Sequence, residues 1–152
     1  MYIPDIPDNS LNNEIAQIVK IAVALEGMEH FAFYPPASEQ EFQELEDYFE
    51  TAFPESYKDW MRFSNGAEIA GNYVTIFRTS EISKYQIKSL RDDYIVIGTL
   101  VGDGELLCIS KTSGQFIRCF EGKETYYDTL NDFFKRPLKR MLLNAEEMVG
   151  EI

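Results

Sequence analysis

PPASEQEFQELEDYFETAFPESYKDWMRFSNG, running from Pro35 to Gly66, alternates helix-starting and helix-ending residues around two aromatic stripes. Ser38-Glu-Gln-Glu41 is a capping box: the serine hydroxyl can accept the Glu41 N–H while the Glu41 carboxylate reaches back to the serine N–H. From that start, Phe42, Leu45 and Phe49 recur at helical spacing as a buried stripe, and Glu39, Gln43, Glu46, Asp47 and Glu50 fall largely on the other side. Pro54 suits the first turn of a second helix, because its missing N–H has no partner to lose there. Tyr57, Trp60, Met61 and Ser64 then follow the i, i+3, i+4, i+7 pattern, and Asn65-Gly66 supplies the left-handed residue that ends it. Two short helices joined at a proline, both with aromatic stripes, are expected to pack as a corner with Trp60, the only tryptophan, as its central filler.

Outward from this corner the periodicity separates helix from strand. Upstream, Ser10 precedes the run Ile15, Ile18, Val19, Ala22, Val23 and Leu25, which Gly27 stops, and this reads as a helix. Phe31 to Tyr34 is short and extended in character, ended by Pro35-Pro36. Downstream of Gly66 the period becomes two: Asn72 to Thr79, Asp93 to Leu100, Glu105 to Thr112 and Gln115 to Phe120 read as strands. Gly102-Asp-Gly104 and Ser113-Gly114 join the last three into an antiparallel meander. Leu106, Cys108, Ile117 and Cys119 share one face of the final hairpin, and Leu107, Ile109, Phe116 and Phe120 share the other, so cover is expected on both sides. A symmetric turn at Thr112–Gln115 would set Cys108 directly opposite Cys119. A closing helix begins near Asp128 or Thr129, buries Leu130, Phe133 and Phe134, and bends near Pro137. The fold expected is α+β: one domain with an antiparallel sheet of about four to six strands and helices packed around it.

Composition narrows what such a domain can do. The 152 residues are 45% hydrophobic, enough for one core, and the greasiest window, Ile15 to Leu25, is too short and too polar to cross a membrane. The start, MYIPDIPDNS, has Asp5 and Asp8 and no Lys or Arg, so a general secretory signal is not expected. Two cysteines make neither a disulfide framework nor a metal-ligand cluster, which fits a reducing cytoplasm. Formal net charge is −12, and residues 1 to 60 hold 13 acids against 2 lysines. Such a field repels phosphate backbones and anionic lipid and attracts a basic protein. No nucleic acid or membrane is therefore expected as a partner, and acidic self-repulsion favours a monomer; no metal or cofactor is expected, because no ligand cluster with metal spacing and no complete phosphate or dinucleotide motif is present. The basic stretch Lys135-Arg-Pro-Leu-Lys-Arg140 is read as an internal or helix-end feature rather than a nucleic-acid site, with Lys139 and Arg140 near the later turns of the closing helix and the cluster able to face the acidic first helical region across the fold.

Catalytic patterns are thin. His30, the only histidine, sits in Met28-Glu-His-Phe31 beside apolar residues and reads as a helix-end or partly buried residue before it reads as a general base. No serine occupies Gly-x-Ser-x-Gly. Gly122-Lys-Glu-Thr125 has Ile117 where a phosphate loop needs its upstream glycine, and the glycines at 98, 102 and 104 precede a strand where a dinucleotide site needs a helix. No catalytic residue is assigned.

In order and spacing, the Pro-Ala-Ser start, acidic helix, Phe53-Pro54-x-x-Tyr57 turn and Asn65-Gly66 stop resemble the SMI1/KNR4 family, the SUKH superfamily. Ile97-Gly98, the Gly-Asp-Gly turn, the Ser-Gly turn and the Phe133-Phe134 pair continue the resemblance, with Phe53 standing where leucine is usual before the proline. The resemblance covers a core over residues 34–140; the family pattern does not specify the N-terminal helix, which with its lead-in over 1–33 is read as part of the same domain, and 141–152 is read as a helix end and tail. The resemblance implies a binding protein of the bacterial immunity type, one that neutralises a cognate secreted toxin, nuclease-like and basic, inside the cell; the alternative it leaves open is a regulatory scaffold without a toxin. A small-ligand or enzymatic domain is the third reading. On the immunity reading, Glu39, Glu46, Asp47, Glu50, Asp92, Asp93 and Asp103 are the candidate partner-binding residues, offering negative charge where a nuclease expects phosphate. Phe42, Leu45, Phe49, Tyr57, Trp60, Gly66 and Phe133 are the candidate structural core.

Overall fold

The N-terminal stripe Ile15, Ile18, Ile21 and Ala22 lies buried along α1, Asn12–Ala24, in a computed structural model that describes residues 1–88 and 90–152. Ser10 does not cap this helix. Its hydroxyl donates to Asp59 Oδ2 at 2.5 Å, and Asn9 Nδ2 donates to the Asp59 carbonyl, so the N-terminal segment is tied across the fold. After the two-residue strand β1, Ala32–Phe33, the capping box forms as the sequence requires: Ser38 Oγ accepts the Glu41 N–H at 3.1 Å and Glu41 Oε1 accepts the Ser38 N–H at 3.0 Å. It opens α2, Glu39–Phe49, with Phe42, Leu45 and Phe49 buried. Pro54 then caps α3, Glu55–Met61, and Tyr57, Trp60 and Met61 are fully buried.

The described residues contribute seven strands to one sheet in the order β1 to β7, every neighbouring pair antiparallel. They are β1, β2 (Ala67–Ile69), β3 (Val74–Ile76), β4 (Tyr94–Leu100), β5 (Glu105–Ser110), β6 (Phe116–Phe120) and β7 (Lys123–Tyr127). This exceeds the expected four to six. The additional pieces are β2, three residues directly after the Asn-Gly stop, and β7, an edge strand with Lys123, Glu124, Thr125 and Tyr126 exposed and hence without alternation. The strand expected over Asn72 to Thr79 shrinks to Val74–Ile76, because Tyr73 closes a turn on Ala70 and the chain leaves the sheet after Phe77.

The final hairpin is two residues out of the expected register. Ile109 pairs with Phe116 and the Ser110 N–H donates to the Gln115 carbonyl, so Cys108 faces Ile117 and Cys119 faces Leu106. The cysteines share a face on a diagonal, and both are free thiols.

Trp60 shows how the layers join. Its ring lies 5.4 Å from Phe63 and 5.4 Å from Phe134, Phe63 in turn meets Phe33 of β1 at 5.3 Å, and Phe133 meets Tyr127 of β7 at 5.6 Å. Thus α3 and the last helix, α4 (Leu130–Val149), lie on the face that carries Leu107, Ile109 and Phe116. Thr129 caps α4 by accepting the Asp132 N–H, Ser56 accepts the Leu130 N–H at 3.0 Å, and Asn131 Nδ2 reaches back to the Ser10 carbonyl and Glu14, which seats α1 against α4. The helix passes through Pro137 without ending, so Lys139 and Arg140 sit in its middle turns, away from the negative end of its dipole.

The opposite sheet face is only partly covered. Ile82, in the 3-10 turn Ile82–Tyr85, is fully buried, and the Gln86 side chain bonds both backbone groups of Val96 beside the bulge in β4. Glu68, Thr75, Thr99, Leu106 and Cys119 remain half-exposed on this side.

Candidate protein-interaction surface

On α2 the same period that buries Phe42, Leu45 and Phe49 turns Gln43, Glu44, Asp47, Tyr48 and Glu50 to solvent. Tyr48 is 66% exposed, an aromatic ring standing among carboxylates and braced edge-on against Phe49 at 4.8 Å. Beside it a shallow groove of about 230 Å³ runs between α2 and the connection from Phe77 to Tyr85, with Glu44, Leu45, Tyr48, Thr79, Ser80 and Ser83 along its walls. One polar knot fixes its shape: Glu41 Oε2 accepts from the Thr79 hydroxyl at 2.9 Å and from Asn65 Nδ2 at 3.2 Å, and Asn65 Oδ1 accepts the Thr79 N–H at 2.9 Å. The backbone bond from Ser38 and these contacts hold the Glu41 carboxyl below its ordinary range. Gly66 closes the same corner at φ 83°; a Cβ there would meet the Ile76 carbonyl oxygen at 2.7 Å, so the glycine is demanded by a close backbone approach as well as by the turn.

The other side of the Phe77–Tyr85 connection walls a second groove, about 510 Å³, on the outer face of β1 to β3. Here Glu68 accepts from the Tyr34 hydroxyl, and His30 Nε2 stands 3.2 Å from Glu68 Oε1. Arg78 lies 3.6 Å over the Tyr34 ring, and Tyr85 stacks on Phe77 at 4.4 Å. The Tyr34 hydrogen bond holds Glu68 below the usual carboxylate range, and the same bond pushes the Tyr34 phenol up. Exposed tyrosine and arginine beside acids, on a surface that is grooved and held by hydrogen bonds, are the residue types that dominate protein interfaces.

The seven acids singled out from sequence have different fates. Glu46 is turned inward, its side chain 18% exposed, pairing with Lys58 at 3.0 Å and accepting the Phe53 N–H at 2.7 Å, so it fastens α2 to α3. Burial alone would raise its pKa, but the Phe53 N–H and Lys58 bring it below the ordinary value. Glu39 joins Glu55 and Asp59 around Arg62, whose guanidinium they hold firmly charged. Asp47 is exposed and accepts from Gln43; Glu50, at the end of α2, has a left-handed backbone at φ 54° and is exposed. Asp93 pairs with Arg91 and its carbonyl accepts the Lys111 N–H, and Lys111 in turn approaches the Phe49 ring, which brings the start of β4 next to the end of α2. Asp92 is exposed at the same end. Asp103, in the β4–β5 turn, lies at the opposite end of a seven-residue strand, about 20 Å or more away. Asp47, Glu50, Asp92 and Asp93 thus share one end of the molecule, and Asp103 does not.

Sequence reading passed over Glu44, Tyr48, Arg78 and Tyr85. Tyr48 had a legible signal, an aromatic residue out of phase with its own helix's stripe; Arg78 and Tyr85 had none, since their position depends on the chain turning back over β4. Among the described residues no set of three His, Cys, Asp or Glu side chains could hold a metal, and no helix is long and apolar enough to cross a membrane.

A single α+β domain with a meandering antiparallel sheet, helices on one face and an acidic, tyrosine-bearing helix beside the other is the class of protein these elements define. The SMI1 / KNR4 family (SUKH-1) model matches residues 36–136, about two thirds of the chain, and the chain belongs to that family. No curated protein matches it.

Proposed function

We propose that the protein is a non-enzymatic binding domain of the immunity type, which occludes a basic, nuclease-like toxin through the α2 face and the two grooves flanking the Phe77–Tyr85 connection. The observation that carries this reading is the outward face of α2, where Glu44, Asp47 and Glu50 surround the exposed Tyr48 in a family member of net charge −12. Carboxylates on that face, with Asp92 and Asp93 at the adjoining end, steer a cationic active-site cleft toward the domain, and Tyr48 at the centre provides the desolvated contact that slows dissociation. Glu39 contributes to the same field, Glu46 supports the face from behind, and Asp103 adds only long-range attraction.

The test is co-expression with the toxic C-terminal domain of a large secreted protein encoded beside this chain's gene. Growth is expected to be rescued by the wild-type chain and lost with Asp47→Lys/Glu50→Lys or Tyr48→Ala, each still folded by circular dichroism. Toxicity undiminished by the folded wild-type chain contradicts the reading.

A further inference from the structure

The basic stretch on α4 does not face the acidic helix α2. Arg136 and Arg140, one turn apart, line a cleft of about 460 Å³ between α4 and the sheet, and Arg118 of β6 lines it from the other wall. Lys135 is drawn away to Asp132, whereas neither Arg136 nor Arg140 forms an ion pair with any described residue, and both are exposed. Arg118 is held in place: its Nε donates to Glu105 Oε1 at 2.6 Å, and the guanidinium stays 30% exposed. Glu105, 9% exposed, is spent on that contact, so the cleft carries three guanidinium groups against one buried carboxylate. In a chain with 26 acids and 14 bases, the cleft is thus a local surplus of positive charge, open to an anion. Thr125 and Tyr127 add hydroxyl groups from the edge strand, while Tyr73 and Pro137 supply apolar wall.

We propose that this cleft binds a small phosphomonoester, its dianionic phosphate among Arg118, Arg136 and Arg140 and its organic body against Tyr73 and Pro137. Guanidinium groups match phosphate by paired N–H donors, and the volume falls within the range of about 300–1,000 Å³ typical of small-molecule sites, more than inorganic phosphate alone would fill. A polyanion is disfavoured, because the long-range field of a −12 protein acts on every phosphate of a nucleic acid but on only one group of a small ester. This site is separate from the α2 face and does not depend on the toxin-binding reading.

The experiment is an amide NMR titration of the full chain with inorganic phosphate, ribose 5-phosphate and adenosine monophosphate, each at ionic strength matched with sodium chloride. Expected are shifts confined to residues around Arg118, Thr125, Tyr127, Arg136 and Arg140. The dissociation constant should be on the order of 0.1–1 mM for at least one ester, with inorganic phosphate weaker. Arg136→Gln/Arg140→Gln should weaken ester binding at least tenfold without moving the thermal midpoint, and Lys139→Gln, on the same helix but outside the cleft, should leave it unchanged. No shift from either ester up to about 10 mM, equal binding by the double variant, or inorganic phosphate as tight as the esters overturns the proposal.

Discussion

Trp60→Ala tests the packing argument at its centre. The ring is fully buried and joins α3 to α4 through Phe134 and to β1 through Phe63 and Phe33. Removing it deletes the contacts of the largest core side chain and leaves a cavity that the neighbouring rings of Phe63 and Phe134 cannot collapse to fill, a loss of about 3–5 kcal/mol. A domain of this size has about 5–15 kcal/mol in total, so the variant should lose a large share of its stability and melt well below the wild type. Trp60→Phe separates volume from chemistry: the indole Nε1 has no hydrogen-bond partner among the described residues, so this change removes an unsatisfied donor and should cost much less than the alanine variant. The assay is urea unfolding followed by far-ultraviolet circular dichroism, since the only tryptophan is itself the mutated residue. An alanine variant within about 1 kcal/mol of wild type that nevertheless lost partner binding would refute the structural role and make Trp60 a contact residue.

Three further outcomes follow from side chains near the corner. Tyr57→Phe should leave the thermal midpoint unchanged or raise it, because the buried hydroxyl has no partner among the described residues; a loss above about 1 kcal/mol would show that it has one. Glu46→Ala should cost about 1–3 kcal/mol in urea unfolding by stripping the Phe53 N–H and Lys58 of their acceptor, whereas Asp47→Ala, on the exposed side of the same helix, should cost almost nothing. Because the folded-state pKa of Glu41 is depressed, its contribution is present above the ordinary carboxylate range and lost as pH falls through the folded value; thermal midpoints from pH 7 to 3 should fall less steeply for Glu41→Gln, and parallel curves would show that Glu41 is not the group responsible.

Local rules made the corner legible and left the long-range geometry dark. Ser38 and Glu41 announce α2, and Gly66 announces the end of the second helical segment, because caps and left-handed residues act within a few positions. β2 and β7 escaped for opposite reasons: Ala67–Ile69 is too short to show a period, and Lys123–Tyr127 lies at a sheet edge where exposed residues need not alternate. The two-residue register difference in the β5–β6 hairpin arises because the turn is not the tight one centred on Ser113-Gly114 but the wider loop 111–114, closed by the Ser110 N–H on the Gln115 carbonyl. At the surface, the acidic character of α2 was visible, but charge count could not tell Glu46, which points inward, from Asp47, which points out. Nor could it bring Arg118 to Arg136 and Arg140, since they meet only when α4 lies across β6.

The association rate with the proposed partner, the toxic C-terminal domain of a secreted protein whose gene would adjoin this one, measured by stopped flow from about 50 to 500 mM salt, tests the α2 face most directly. Electrostatic steering predicts a fall of about tenfold or more across that range, flattened by Asp47→Lys/Glu50→Lys, while Tyr48→Ala should act mainly on the dissociation rate. An association rate indifferent to salt, or one that the charge reversals leave unchanged, would contradict the claim that this face meets a basic partner.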